Sequence, residues 1–281
     1  MNNEEQIRQD TRKVMLNLLI RLDEVCHKNN LHYYLAVGTC LGAVRHKGFI
    51  PWDDDIDVLM PIQDIKKLIG LQDQFGERYF IQCKETDPEY RATAMRLRDS
   101  ETTYFQSNEA GQKNNKGIYV DIYPFYEVPK NPVQRRLDIL RSHVFRMLVY
   151  RRPVESQGKL KYLISKVVLA MYPGEKADRK IKKIEDHLIS VRGDEVRTYF
   201  GGDIWFLSAI TYKKEWFGEP TKLEFEGMFF DGPHDPDQYL TKRYGDYMTL
   251  PPVEKRVTHH ENLIIDPYRS YREYEEVDQN G

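Results

Sequence analysis

The sequence predicts an α+β protein, with a mixed sheet core, flanking helices and a basic helical insertion. Three observations lead there. Apolar residues at helical spacing open the chain, short alternating segments punctuated by Gly and Pro follow, and a stretch past the middle returns to helical spacing with a large excess of Lys and Arg. At 281 residues, with 40% hydrophobic and 31% charged residues, the chain is long enough for a substantial core and one to two domains.

Val14, Met15, Leu18, Leu19, Leu22, Val25 and Cys26 recur at helical spacing, so an amphipathic helix is expected over residues 4 to 29, ended by Asn29 and Asn30. "LHYYLAVG" then reads as a first strand. Thr39 is placed to cap a short helix through Val44 that stops at Gly48, and "FIPWDDDIDVLM" supplies a second strand. Pro61 opens another helix, with Ile62, Ile65, Leu68 and Ile69 on one face, and "RYFIQC", "ATAMRLR" and "GIYVDIYPF" follow as strands. Leu137, Leu140, Val144 and Leu148 form one helical stripe, and Leu160, Leu163, Ile164, Val167, Val168 and Met171 another, with Pro153 between. "DPDQYLTKRYG" reads as a helix with Asp235 as N-cap, Pro236 at the first position and Gly245 as stop.

There is no apolar run near 18 residues and no N-terminal stretch resembling a signal peptide, so a cytoplasmic protein is expected. Cys26, Cys40 and Cys83 match neither a disulfide framework nor a metal knuckle and read as structural thiols. Net charge is only −2, yet residues 130 to 183 hold 15 Lys and Arg against 4 Asp and Glu. Such a segment suits an anionic partner. No nucleic-acid partner is expected.

Asp53, Asp54, Asp55 and Asp57 gather within five positions. Like charges this close raise one another's pKa unless a cation sits between them. Apolar segments flank them, unlike those of a solvated loop, and a period of two from Asp55 points Asp55 and Asp57 to one face of a strand. On "GIYVDIYPF", Ile118, Val120 and Ile122 alternate with Tyr119, Asp121 and Tyr123. Asp121 is thereby a third carboxylate, which only tertiary folding can add to the first two.

A glycine turn after one strand, carboxylates at i and i+2 on the next and a third on a later strand describe a two-metal site. Two Mg²⁺ or Mn²⁺ ions are expected on Asp55 and Asp57, with Asp121 completing one of them. Gly38 permits close approach of a phosphate, and the Thr39 hydroxyl offers a donor. This is the arrangement of the nucleotidyltransferase fold.

The blocks "GTCLGAVRHKGFIPWDDDIDVLM", "GIYVDIYPF" and "FEGMFFDGPHDPDQYLTKRYGDYMTLPP" resemble the LicD family of phosphocholine transferases. The resemblance implies transfer of a phospho-alcohol, typically phosphocholine from CDP-choline, onto a sugar hydroxyl of a teichoic acid or lipopolysaccharide. It places the family's W-D-x-D-x-D pattern on Trp52, Asp53, Asp55 and Asp57, which adds Asp53 to the metal set. Residues 1–30 are then an N-terminal helix, 31–130 a nucleotidyltransferase-like catalytic core, 131–200 the basic insertion and 201–281 a block completing the site. The implied partners are a CDP-alcohol donor and a glycan acceptor, which in this family is assembled on a lipid carrier. Arg135, Arg136, Arg141, Arg146, Arg151 and Arg152 of the insertion are then candidates to meet either that acceptor or the inner face of an anionic membrane.

Arg45 and His46 are candidates for the diphosphate, and Arg256, His259 and His260 in "KRVTHH" for the leaving CMP. A choline headgroup needs π faces, for which Tyr119, Tyr123, Phe125 and Tyr126 are candidates. Two rival readings exist. An EF-hand fits Asp53, Asp55 and Asp57 but has Val58 where its turn needs glycine, Asp64 where it needs Glu, and Pro61 inside the loop. A nucleotide-sugar glycosyltransferase with a D-x-D motif would build several βα units before its acidic motif, which here follows a single strand.

Overall fold

The computed structural model of the protein describes residues 3–107, 112–153, 159–198, 204–205, 208–257 and 262–278. In chain order its elements are α1 (Asn3–Lys28), β1 (Tyr34–Leu35), α2 (Val37–His46), β2 (Asp57–Pro61), α3 (Ile62–Ile69), β3 (Tyr79–Gln82), β4 (Met95–Asp99), β5 (Thr103–Gln106) and β6 (Ile118–Val128). Then come α4 (Pro132–Tyr150), α5 (Lys159–Met171), α6 (Glu175–Ser190), β7 (Glu195–Thr198), β8 (Ile204–Trp205), β9 (Ser208–Ala209) and β10 (Tyr212–Lys213). The chain closes with β11 (Thr221–Phe225), β12 (Met228–Gly232), α7 (Pro236–Tyr244), β13 (Asn262–Asp266) and α8 (Tyr271–Asp278). This is an α+β fold built on a mixed sheet. It divides into two compact units, Met1–Tyr90 with Ala94–Ile122 and Trp216–Gly281, and Arg91–Thr93 with Tyr123–Glu215.

In the first unit the strands run β1-β2-β6-β4-β3. Tyr34 pairs with Leu59, and Arg96 on β4 lies opposite Asp121 on β6, both in antiparallel register. β2 is buried from Asp57 to Met60, as a central strand covered on both faces must be. α1 turns Met15, Leu18, Leu19, Leu22, Val25 and Cys26 inward and packs on β4 and β13. The last third of the chain returns to this unit: α7 packs on α2, β13 pairs with β5, and β11 and β12 form a hairpin. That hairpin turns through Glu226 and Gly227, both at positive φ, which is what a two-residue turn between twisted strands requires.

In the second unit Phe125–Val128 of β6 pairs with β7, and β7 with β10. Asn131 caps α4 by accepting from the Val133 and Gln134 amides, and Pro132 occupies the first turn, where its missing N–H costs nothing. α4 and α6 pack through Ile139, Phe145, Leu148 and Val149 on one side and Ala177, Ile181, Ile184 and Leu188 on the other.

Several expected elements differ. The second strand is confined to Asp57–Pro61, because Pro51 breaks pairing upstream and residues 51 and 52 form a turn. α2 begins at Val37 with Ala36 as N-cap and ends at Lys47 in the left-handed region, so Thr39 lies inside the helix and Gly48 beyond its stop. The stripe Leu137, Leu140, Val144, Leu148 is not the buried face of α4. Leu137 and Leu140 are exposed, and the buried face runs through Ile139, Ser142, Phe145 and Val149, sharing only Leu148 with the stripe. The three cysteines are free and buried, as structural thiols should be. Among the described residues no helix is long and apolar enough to cross a membrane.

Candidate functional site

Arg12, reaching from α1, holds the acidic segment by its backbone. Its guanidinium donates to the carbonyls of Ile50, Pro51 and Asp53 at 3.0, 3.1 and 2.7 Å. Arg12 therefore shapes the segment through its main chain. Asp53, Asp54 and Asp55 each present an oxygen within 4.8 Å of the others. Alternation along a strand would have turned Asp54 away, but this segment is not a strand, so Asp54 joins the cluster. The Tyr104 hydroxyl on β5 donates to its Oδ2 at 3.4 Å.

Asp57 opens β2 and is 4% exposed. Its amide donates to the Thr39 hydroxyl at 2.8 Å, which ties the first turn of α2 to the strand and gives that hydroxyl a structural partner. Burial, and then the negative charges of Asp55, Asp121 and Asp53, push the Asp57 carboxyl well above the ordinary carboxylate range, while Arg243 on α7 opposes them. Asp55 lies just ahead of the strand that Asp57 opens, so the two are not paired by alternation within one strand. Asp121 arrives from β6: its amide donates to the Ile56 carbonyl at 3.0 Å. Its carboxylate is buried, and Oδ1 accepts from Arg96 Nε at 2.8 Å.

Gly38 packs directly against the acidic segment. A Cβ there would lie 2.4 Å from Asp53 Oδ2, so the missing side chain makes room for that carboxylate at the start of α2. The strained backbone is at the preceding residue, Val37, whose φ of 47° is unusual for a β-branched side chain. Its amide donates to the Tyr239 hydroxyl of α7 at 3.1 Å.

A second cluster gathers around Trp52, at the start of the acidic segment. Arg45 donates to the Tyr247 carbonyl at 2.6 Å, the His46 and Trp52 rings meet edge-on at 6.3 Å, and the Arg256 guanidinium lies 5.3 Å from the Trp52 centroid. Burial and the neighbouring Arg45 hold His46 below the usual histidine pKa, so it is neutral at pH 7. His259 and His260 lie outside the described residues.

The aromatic candidates fare differently. Tyr119 is 1% exposed, with the Arg96 guanidinium 3.7 Å and that of Arg98 4.9 Å from its ring centroid. Its π system already holds cations, so it cannot cradle a choline. Phe125 and Tyr126 are buried, and strand alternation turns Tyr126 to the opposite face of β6 from Asp121; Tyr123 is half-buried on Asp121's face. A cavity of about 1210 Å³, lined by Phe80, Thr103, Phe105, Asn114, Lys116 and Tyr271 among others, opens on the side of β5 away from Tyr104.

Sequence reasoning missed Arg12, Asp54, Arg96 and Arg243. Arg12 and Arg96 sit in a helix and a strand with no local signal of their role, and Arg243 lies within the recognised C-terminal block.

The crowded carboxylate oxygens of Asp53, Asp54 and Asp55, with the buried Asp57 two residues further on, are hard donors that could hold a divalent cation. A mixed sheet that assembles such a group at the junction of β1, α2 and β2 and adds to it from the neighbouring β6 defines a nucleotidyltransferase-like domain. Residues 30–147 match the family model described as LicD/FKTN/FKRP, nucleotidyltransferase domain. The chain is 30% identical over 260 residues to the lipopolysaccharide cholinephosphotransferase LicD of Haemophilus influenzae, spanning 88% of this chain and 93% of that protein. It is also 30% identical over 111 residues to the ribitol 5-phosphate transferase FKRP of Mus musculus, there covering 38% of this chain and 19% of that protein. The chain belongs to the LicD family and is a transferase.

Proposed function

We propose that the protein transfers a phospho-alcohol, phosphocholine from CDP-choline first among the candidates, onto a sugar hydroxyl of a cell-surface glycan such as lipopolysaccharide or teichoic acid. The observation that carries this reading is the cluster of Asp53, Asp54 and Asp55 just ahead of the buried Asp57, with the Asp121 amide bonded to the Ile56 carbonyl between them, in a chain similar to a cholinephosphotransferase along nearly its whole length. A sugar oxygen, giving up its proton, forms a bond to the β-phosphorus; the bond from that phosphorus to the bridging oxygen breaks, and CMP departs with the electron pair.

Asp53, Asp54, Asp55 and Asp57 would hold the cations and Asp121 would complete one of them. When bound, two divalent ions supply charge neutralisation at the diphosphate and a lower pKa for the attacking hydroxyl. Arg12 holds the acidic segment in place, and Arg96 orients Asp121. Arg45 and Arg256 offer positive charge to the departing nucleotide phosphate, and neutral His46 offers a hydrogen bond.

The test is CMP release from CDP-choline, CDP-ribitol and CDP-glycerol with Mg²⁺ or Mn²⁺, with and without a sugar acceptor, beside a panel of UDP-sugars. Metal-dependent CMP release that rises with acceptor is expected. Turnover of UDP-sugars alone would replace this reading with that of a glycosyltransferase.

A further inference from the structure

α5 leaves an apolar face uncovered. Leu163, Ile164, Val167 and Met171 are 59%, 49%, 53% and 61% exposed. Their spacing places them on one side of the helix, while Ser165 on the other side is buried. Four large apolar side chains in contact with water on one helix are costly unless another phase covers them. The helix has no acidic residue, and its charges are Lys159, Lys161 and Lys166.

We propose that this face of α5 docks on an anionic phospholipid bilayer, with the helix lying in the interfacial plane. Charge decides the occupant. The surrounding residues 130 to 183 carry 15 Lys and Arg against 4 Asp and Glu, which an anionic surface attracts. A second copy of the chain would bring the same lysines against themselves in a two-fold contact. Thirteen residues span roughly 20 Å as a helix, too short to cross a hydrocarbon core. An amphipathic helix with basic flanks is suited instead to lying at the headgroup boundary.

The apolar face of α5 is a contact distinct from the arginines that the sequence suggests. Arg135 pairs with Glu195, Arg141 with Asp138 and Arg151 with Asp178, so half of the six already have carboxylate partners. The inference is independent of which donor the acidic site takes.

Sedimentation of the full chain with phosphatidylcholine vesicles, with and without phosphatidylglycerol, tests it. The protein is expected to co-sediment with the anionic vesicles only, and to be partly released by salt. Leu163→Glu with Val167→Glu should weaken partitioning by about a hundredfold. Both sites are exposed, so melting should not change. Three results would overturn the proposal: no sedimentation of the unaltered chain, equal sedimentation of the double variant, or concentration-dependent dimerisation that the double variant abolishes.

Discussion

Burial, Asp55, Asp121 and Asp53 together raise the Asp57 carboxyl above its ordinary pKa, so the metal-free fold keeps a proton there that the unfolded chain has already lost. For an acid raised on folding, that stability is present below the unfolded pKa and is lost as pH rises toward the folded one. Metal-free protein is therefore expected to melt at lower temperature as pH rises from about 4 toward neutrality. Asp57→Asn should flatten that slope, raise the melting temperature at neutral pH and abolish CMP release; calorimetry across pH and a turnover assay check it, and a variant with normal turnover would sink the assignment. Arg96 presents the opposite case. It is 12% exposed in its side chain and pairs with an Asp121 that is 8% exposed. Arg96→Met takes the guanidinium away from a carboxylate buried beside other carboxylates and is expected to cost about 3–5 kcal/mol, read by urea unfolding.

At the scale of elements, the junction of β1 and α2 does several things in three residues. Val37 takes a left-handed turn held by Tyr239, Gly38 clears space for Asp53, and the Thr39 hydroxyl accepts from the Asp57 amide. Gly38→Ala separates packing from function. Alanine favours a helix by about 1 kcal/mol over glycine, so stability should hold, but its Cβ requires Asp53 to swing away. Displacing a ligand by about 1 Å is worth about a hundredfold in rate. The expected outcome is a melting temperature near that of the unaltered protein with turnover down about that much, and unchanged turnover would show that Asp53 tolerates the shift.

At the scale of the molecule, the first unit is closed by its C-terminal return. The Tyr34 hydroxyl donates to the carbonyls of Phe217 and Gly218, the Phe49 amide donates to Glu226 Oε1 at 2.9 Å, and β13 supplies a partner for β5. A chain ending at residue 215 loses all of these together with Arg243. It is expected to lose cooperative melting by circular dichroism as well as CMP release. A truncated chain that still melts in one sharp transition would show that the return is an accessory to the unit.

The sequence by itself determined α1, α3, α7, strands within "RYFIQC", "ATAMRLR" and "GIYVDIYPF", the last of which the structure carries on to Val128, and the crowding of aspartates ahead of β2, because periodicity, caps and clustered like charge are local properties. The family blocks were legible for the same reason. Only the tertiary structure decided that Asp121 lies beside Ile56, next in sequence to Asp57, that Asp54 joins the cluster, that Arg12 and Arg96 support it, and that Tyr119 is sealed beside two arginines. Arg96 reaches its aspartate across 25 residues of chain, and Arg12 its carbonyl across 41. Such contacts depend on which strands pair, and local pattern holds no record of that.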